Sequence, residues 1–171
     1  MPRYVALLRG VSPMNASMAN LRAAFEAAGF TNVRTVLSSG NVVFDARAAS
    51  DTAIARKAQR AMSSQLGHTF VAIVRKRSDL QAFIDDDPFA AFQLPKNAKR
   101  VVTFLREPHT GKVALPMEKD GARILAVTRR EVLTAYVPSP RGAAFMTLIE
   151  KTFGKDVTTR SWDTVVKCAR A

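Results

Sequence analysis

The sequence predicts an α+β fold built as two lobes, and three observations carry this prediction. The chain has 171 residues, 47% of them hydrophobic, which is enough for one large domain or two small ones. Segments with helical spacing of apolar residues alternate with β-branched runs. The turn-rich stretch LPKNAK at residues 94–99 separates an earlier set of elements from a later one. We therefore expect lobes at residues 1–78 and 99–171, with a helix and linker at residues 79–98.

The first lobe is predicted to open with a strand and a helix. The run RYVALLR at residues 3–9 is typical of a buried strand. Apolar residues at helical spacing then predict a helix over residues 18–28. Ser17 stands where an N-cap belongs and Gly29 where a helix ends, so the sequence marks both ends of this helix.

A hairpin and a second helix complete this lobe. The β-branched runs VRTVL at residues 33–37 and VVFDA at residues 42–46 are separated by SSGN, which is a hairpin signal. Asp51 can then cap a helix that ends at Gly67, and FVAIVR at residues 70–75 is typical of another strand. The resulting order β-α-β-β-α-β is the split pattern of ferredoxin-like domains.

The second lobe is predicted to be a smaller α+β unit with a C-terminal helix. That helix would be capped by Ser161, with Asp163 near its start and Lys167 and Arg170 near its end, a charge order that suits the helix dipole. The expected elements are a short helix from residue 78, a strand at 100–105, a hairpin of strands at 122–128 and 132–137, a helix at 141–154 and the last helix at 161–170.

Several polar residues are expected to meet at one edge of the first lobe. A right-handed crossover places the third strand between the first two, so the loop after the first strand and the SSGN turn share an edge. The first helix begins there, and His68 follows the second helix at the same edge. A helix N-terminus attracts a phosphate or carboxylate, although capping and turn roles explain the same residues. The candidate ligand-binding residues are Arg9, Ser12, Asn15, Ser17, Ser38, Ser39 and Asn41.

The stretch TTRSW at residues 158–162 offers a second candidate corner. Two hydroxyls, Arg160 and a helix start can hold an anion, and Trp162 can stack on a base or ring. In the other interpretation, which we favour, Thr159 or Ser161 caps the helix and the single tryptophan anchors the core of the lobe.

The charge of the chain favours an anionic partner. There are 26 Lys and Arg against 14 Asp and Glu, a net charge of +12. Such a surface attracts polyanions, and solubility alone explains it equally well. The strands lack the aromatic pair of RNA-recognition motifs, so binding would involve phosphates rather than bases. Three basic clusters near the boundary between the lobes are candidates to line a groove for nucleic acid: Arg56, Lys57 and Arg60; Arg75, Lys76 and Arg77; and Lys96, Lys99 and Arg100.

Familiar catalytic and metal-binding patterns are missing from the sequence. His68 and His109 do not have the spacing of a zinc motif, and the acidic run at residues 85–87 is typical of a solvated helix end. The chain has no GxSxG, phosphate-loop or dinucleotide motif, and Cys168 is expected to be inert. We therefore expect no metal and no cofactor, and a hydrolase with a standard triad is disfavoured.

Targeting signals are also missing. No apolar run approaches the roughly 20 residues that a membrane span requires, and the N-terminus does not resemble a signal peptide. A single cysteine allows no internal disulfide. The sequence therefore predicts a cytoplasmic protein without a membrane partner, and it leaves the oligomeric state open.

Three stretches resemble a known bacterial family. They are YVALLRGV, MANLRAAFEAAGFTNVRTVLSSGNVVF and TTRSWDTVVK, which together cover most of residues 4–44 and residues 158–167. In residue identity and spacing they resemble the family called domain of unknown function 1697. The resemblance implies a cytoplasmic protein of two α+β subdomains, the first ferredoxin-like, and implies no established activity. The loop VSPMNAS is shorter here than is usual in the family, and Ser161 and Asp163 replace the more usual asparagines.

Three kinds of function follow from these patterns. The leading hypothesis is a non-catalytic module that binds nucleic acid or a phosphorylated small molecule. The alternative is an enzyme of unknown chemistry, with Arg9, Asn41 and Arg160 holding an anionic substrate between the lobes. A third hypothesis is an interaction or assembly protein whose basic charge is incidental.

Overall fold

The computed structural model describes residues 1–138 and 144–171. They form two compact units, one of residues 1–85 with 166–171 and one of residues 86–165. The predicted helix at 141–154 begins outside the described residues and is seen from Ala144 onward. In chain order the elements are β1 Arg3–Leu8, α1 Met18–Ala27, β2 Thr31–Val36, β3 Asn41–Asp45, α2 Asp51–Leu66, β4 Ala72–Lys76, α3 Arg77–Asp85, β5 Lys99–Leu105, β6 Met117–Lys119, β7 Ala122–Val127, β8 Glu131–Tyr136, α4 Ala144–Phe153, β9 Val157–Ser161 and α5 Trp162–Arg170.

The sheet of the first unit confirms the ferredoxin-like prediction. Its strand order is β2-β3-β1-β4, and β3 runs antiparallel to both of its neighbours. In the register, Arg3 lies opposite Asp45 on one side of β1, and Tyr4 lies opposite Lys76 on the other. The start of β1, the end of β3 and the end of β4 therefore share one edge of the sheet. The opposite edge carries the loop after β1 and the β2–β3 turn.

The core of the first unit forms between this sheet and helices α1 and α2. Four aromatic rings fill its centre, with Phe30 and Phe44 stacked at 4.4 Å and Phe25 tilted against Phe44 at 5.3 Å between centroids. Tyr4 stacks on Phe44 at 6.0 Å. The alternate residues of β1, Val5 and Leu7, face away from these helices and are also buried, so β1 is enclosed on both faces. Helix α3 contacts both β1 and β4.

The helix ends follow the predicted capping chemistry with one correction. Ser17 Oγ accepts a hydrogen bond from Asn20 N at 3.1 Å, which caps α1. The cap of α2 is Ser50, whose Oγ accepts from Ala53 N at 3.1 Å, and not Asp51. Asp51 is instead the first helical residue, where its negative charge faces the positive end of the helix dipole. Gly67 ends α2 in the left-handed conformation, as its position in the sequence predicts.

The second unit contains a five-stranded antiparallel sheet of order β6-β7-β8-β5-β9. The predicted β7–β8 hairpin and the strand at β5 are present. Strand β9 is not predicted by the sequence analysis, which treats residues 158–161 as a corner before the last helix. In the structure these residues pair with β5, with Thr103 opposite Thr159. Ser161 caps α5, because its Oγ accepts from Thr164 N at 3.2 Å.

Helix α4 packs on one face of this second sheet. Leu148 and Ile149 join Ile124, Val132 and Val157 in a buried apolar cluster. Across the described parts of both units, no helix combines the length and apolar character that crossing a membrane requires.

Candidate functional site

The predicted polar edge of the first unit is assembled as the topology requires. Leu8 N donates to Gly40 O at 2.8 Å, which joins the end of β1 to the β2–β3 turn. A methyl group added at Gly40 would lie 2.8 Å from Val11 Cβ, so the turn and the loop after β1 are in close contact. Arg9, half-buried, donates its backbone N–H to Val71 O at 3.0 Å. The loop, the turn and the segment after α2 therefore meet at this edge.

Most polar groups at this edge hold the loop itself in shape. Asn15 Oδ1 accepts from Ser12 N at 2.9 Å, and its Nδ2 donates to Gly10 O at 2.8 Å. Ser12 Oγ accepts from Met14 N at 3.3 Å. Ser17 Oγ is the α1 cap. These contacts are the turn and capping roles that the sequence left open as the other interpretation of the same residues.

Asn41 lies beneath this edge and is not exposed at it. It is the first residue of β3, is 0% exposed, and donates from Nδ2 to Val36 O at 2.8 Å and to Ser39 Oγ at 3.0 Å. The positive φ angles of the turn belong to Leu37 and Gly40. Asn41 therefore braces the turn from inside, because a buried carboxamide must find partners within the protein. Ser38 and Ser39 are exposed beside it.

The first basic cluster lies on the solvent-facing side of α2. Arg56, Lys57 and Arg60 are all exposed, whereas the side facing the sheet buries Ile54, Ala58 and other apolar residues. Lys57 Nζ lies 5.3 Å from the centroid of the Phe30 ring, a cation–π contact that fixes one of the three charges. We call Arg56, Lys57 and Arg60 the α2 basic surface.

The second basic cluster does not form a continuous surface. Arg75 is only 2% exposed, because it is one of the residues of β4 that are enclosed in the unit, and its Nη1 donates to Val74 O at 3.0 Å. Lys76 is half-buried at the end of β4. Arg77 is half-buried and donates from Nε to Ala169 O at 2.7 Å. The three neighbours in sequence therefore have three different environments.

The third cluster and the TTRSW corner lie in the second unit. Lys96, Lys99 and Arg100 are exposed. The Arg100 guanidinium lies over Phe89 at 5.7 Å and over Trp162 at 5.9 Å. Trp162 is 9% exposed and meets Phe89 edge-on at 5.2 Å, so it packs in the core of this unit, as the favoured interpretation predicts.

Arg160 is buried in β9. It is 8% exposed, and its Nη1 donates to Thr158 Oγ1 at 2.6 Å and to Thr159 O at 2.9 Å. Its guanidinium is held by its own strand, so Arg160 and Trp162 do not present an open anion-binding corner. A shallow cleft of about 250 Å³ lies beside them, lined by Lys99, Arg100, Tyr136, Ser161 and Asp163 among others.

A basic cleft that the sequence analysis missed lies at the other edge of the first sheet. It has a volume of about 370 Å³ and is lined by Pro2, Arg3, Arg77, Ser78 and Gln81. The topology predicts this cleft, since β1 and β4 are antiparallel neighbours, Arg3 begins β1 and Arg77 directly follows the end of β4.

The described residues contain no cluster of three metal-ligating side chains. Cys168 is buried in the first unit, at 0% exposure, so its thiol has no access to solvent. The two clefts described above are lined by arginine, lysine, hydroxyl and amide groups, with one carboxylate, that of Asp163, in the cleft beside Trp162. The arginine, lysine, hydroxyl and amide groups bind anions by charge and hydrogen bonding.

Comparison with known proteins gives the family of the chain and its fold. Among solved structures, a conserved bacterial protein from Streptococcus pneumoniae is similar over 99% of this chain and 97% of that chain, with 17% sequence identity and a TM-score of 0.70. At that identity the likeness shows the fold alone. No curated protein matches the chain. A family model described as "Protein of unknown function (DUF1697)" matches residues 1–132, and the chain therefore belongs to the DUF1697 family.

Proposed function

We propose that this protein is a non-catalytic module that binds nucleic acid through its phosphate backbone. The single observation that carries the proposal is the α2 basic surface, in which Arg56, Lys57 and Arg60 are exposed together on one helix. Phosphate contacts of this kind position a protein on nucleic acid and supply most of its non-specific affinity. The proposal includes a cytoplasmic location, where such partners are present.

The spacing of the three cations supports this proposal. Arg56 and Arg60 are four residues apart, and Lys57 and Arg60 are three apart, so all three side chains project from one side of α2. The neighbouring exposed positions on that side include Thr52, Ala53, Ser63 and Ser64, which are small. A phosphate backbone can approach the helix closely over these small residues.

The charge of this surface is not neutralised locally. Between Thr52 and Leu66 the helix contains no Asp or Glu. In the described parts of the chain, neither Arg56 nor Arg60 takes part in a salt bridge. The first unit as a whole has 13 basic and 5 acidic residues, so the field around α2 is positive. Exposed, unpaired cations release counterions from nucleic acid on binding, which is the main source of favourable free energy in such complexes.

The proposal is tested by fluorescence anisotropy with a labelled duplex and a labelled single strand over a series of salt concentrations. The test variant carries Arg56→Ala, Lys57→Ala and Arg60→Ala. The logarithm of the binding constant falls as the logarithm of the salt concentration rises. Losing three phosphate contacts should make this fall less steep, by up to about 2.7 in the slope for the duplex. The loss should be similar for different sequences, because the contacts are to phosphates.

The matched control carries Lys112→Ala, Arg129→Ala and Lys151→Ala, three exposed cations of the second unit. Both variants lose the same net charge. If the control weakens binding as much as the α2 variant, the effect is one of total charge and the α2 basic surface is not the site. Wild-type protein that fails to bind either probe at low salt overturns the proposal.

A further inference from the structure

We infer that the basic cleft of the first unit, lined by Arg3, Arg77, Ser78 and Gln81, binds the phosphate group of a small phosphorylated molecule. The cleft lies at the edge where β1 begins, and the proposed nucleic-acid surface lies on α2. The two proposals rest on different residues, so either can fail without the other.

Strand register brings the two arginines together. Tyr4 lies opposite Lys76 in the terminal pair of the β1–β4 ladder, so Arg3, one residue before Tyr4, and Arg77, the first residue of α3, both lie at this end of the ladder. Both side chains line one cleft, although they are far apart in the chain. Two guanidinium groups at one opening are a recurrent arrangement for binding oxyanions.

Arg77 is held in place by one nitrogen and retains the others for a ligand. Its Nε donates to Ala169 O at 2.7 Å. In the part of the chain that the structure describes, its two Nη groups have no acceptor. Because its Nε is already anchored, the Arg77 side chain loses less conformational entropy on binding a ligand than a freely rotating arginine would. This favours a bidentate contact between its two Nη groups and a phosphate.

Arg3 is the second cation of the cleft, and it makes more hydrogen bonds within the protein than Arg77 does. Its Nε donates to Ala171 O at 3.1 Å and its Nη1 to Asp45 Oδ1 at 2.8 Å. The carboxylate of Asp45 also accepts a hydrogen bond at its Oδ2 from Asn32 Nδ2, at 2.7 Å. Arg3 is therefore partly neutralised, and the net positive charge of the cleft comes mainly from Arg77.

Ser78 is the neutral donor that the cleft offers, because the Nε2 of Gln81 is already bonded to Asp85. Ser78 is exposed at the start of α3, and its hydroxyl can donate to a ligand oxygen. Gln81 follows one turn later, with its Nε2 directed to Asp85 Oδ1 at 2.8 Å. No carboxylate is among the residues that line the cleft. This composition favours an anion over a cation.

The size of the cleft indicates a small ligand. Its volume of about 370 Å³ is at the lower end of the range for small-molecule sites. A nucleic-acid duplex would need a long open surface to bind. A phosphate monoester is compact enough for a small cleft and carries two negative charges. A phosphate can accept from both Nη groups of Arg77 and still has a third oxygen for Ser78, whereas a carboxylate has only two oxygens.

The experiment is isothermal titration of the full chain with inorganic phosphate and with phenyl phosphate, at constant ionic strength set with chloride. Benzoate is the carboxylate probe of matched shape. We expect both phosphates to bind and benzoate to bind more weakly. Arg77→Gln should weaken phosphate binding by about tenfold or more, and Arg77→Lys should restore only part of it because lysine lacks the planar fork.

A second variant is included because Arg77 also contacts Ala169. Ser78→Ala leaves that contact intact and should weaken phosphate binding by about threefold or more. Arg129→Gln, a change of an exposed arginine in the second unit, is the control and should leave phosphate binding unchanged. Folded Arg77→Gln or Ser78→Ala protein with wild-type phosphate affinity overturns the inference. Benzoate that binds as tightly as phenyl phosphate also overturns it, as does wild-type protein that binds neither phosphate.

Discussion

Arg3 and Asp45 face each other across the β1–β3 ladder, and Arg3 Nη1 lies 2.8 Å from Asp45 Oδ1. The other carboxylate oxygen of Asp45 accepts from Asn32 Nδ2 at 2.7 Å. The hydrogen bond from Asn32, with further help from Arg3, holds the pKa of Asp45 below its ordinary value of 3.8. The start of β1 and the end of β3 are thus joined by a contact that needs an ionised carboxylate.

This contact predicts a loss of stability in acid. The pKa of Asp45 is lower in the folded chain than in the unfolded chain, so the ionised contact stabilises the fold fully above the ordinary value of 3.8. Its contribution falls as the pH falls below that value and is gone once the folded-state carboxyl is protonated. Urea unfolding from pH 7 to pH 3 should show a shallower pH dependence for Asp45→Asn than for wild type.

Asn32→Gly provides a second check of the same contact. Asn32 has a φ of +49°, which glycine adopts without strain, so this change removes the amide and keeps the backbone. It should reduce the acid sensitivity in the same direction as Asp45→Asn. An unchanged slope in both variants would show that Asp45 does not contribute to acid unfolding.

The carboxamide of Asn41 is expected to be important for folding. It is 0% exposed and joins Val36 O to Ser39 Oγ beneath the β2–β3 turn. Asn41→Ala leaves buried polar groups without their partner and should lower the free energy of unfolding by about 1–3 kcal/mol. Asn20→Ala, an exposed change on α1, is the control and should have little effect. Equal midpoints of urea unfolding for the two variants would contradict this role.

Gly40 combines a positive φ with a close neighbour. At φ +86°, a Cβ added there would lie 2.8 Å from Val11 Cβ. Gly10 has a similar φ of +81° and nothing within 4 Å of such a Cβ. Gly10→Ala should therefore cost about 1–2 kcal/mol from backbone strain alone. Gly40→Ala should lower the free energy of unfolding clearly more, because the added methyl group also meets Val11. The difference in thermal stability between the two variants measures this packing contribution. A Gly40→Ala variant as stable as Gly10→Ala would show that Val11 moves aside freely.

Trp162, the only tryptophan of the chain, reports on the second unit. Since it is 9% exposed and packed against Phe89 at 5.2 Å, its fluorescence should be blue-shifted and poorly quenched by acrylamide. Strong quenching of this emission by bound oligonucleotides would support base stacking at Trp162.

Local patterns in the sequence were sufficient to predict most of the first unit. Ser17, Gly67 and the SSGN turn determine where α1 begins, where α2 ends and where β2 and β3 meet, because each acts through its own backbone geometry. The ferredoxin-like topology followed from the order of these elements. The cap of α2 was misplaced by one residue, since Ser50 and Asp51 are adjacent residues of equal capping preference.

Strand β9 and the buried arginines were harder to predict. Polar residues dominate Val157–Ser161, so the segment lacks the apolar alternation that marks a strand. Its adjacent threonines, which favour extended structure, were the available signal. The burial of Arg75 and Arg160 depends on what packs over their strands. Neighbouring residues in the sequence carry no information about such long-range packing.

The first unit is discontinuous in the chain, and this affects the order in which it can fold. Arg77 and Arg3 bind the carbonyl oxygens of Ala169 and Ala171, which belong to the segment at residues 166–171. During synthesis the ribosome delivers this segment only after residues 86–165 have been made. Domains made first usually fold first, but here the unit that emerges first is completed last. Nascent chains should therefore contain a sheet whose Arg3 and Arg77 lack these two carbonyl acceptors until residues 166–171 have been made.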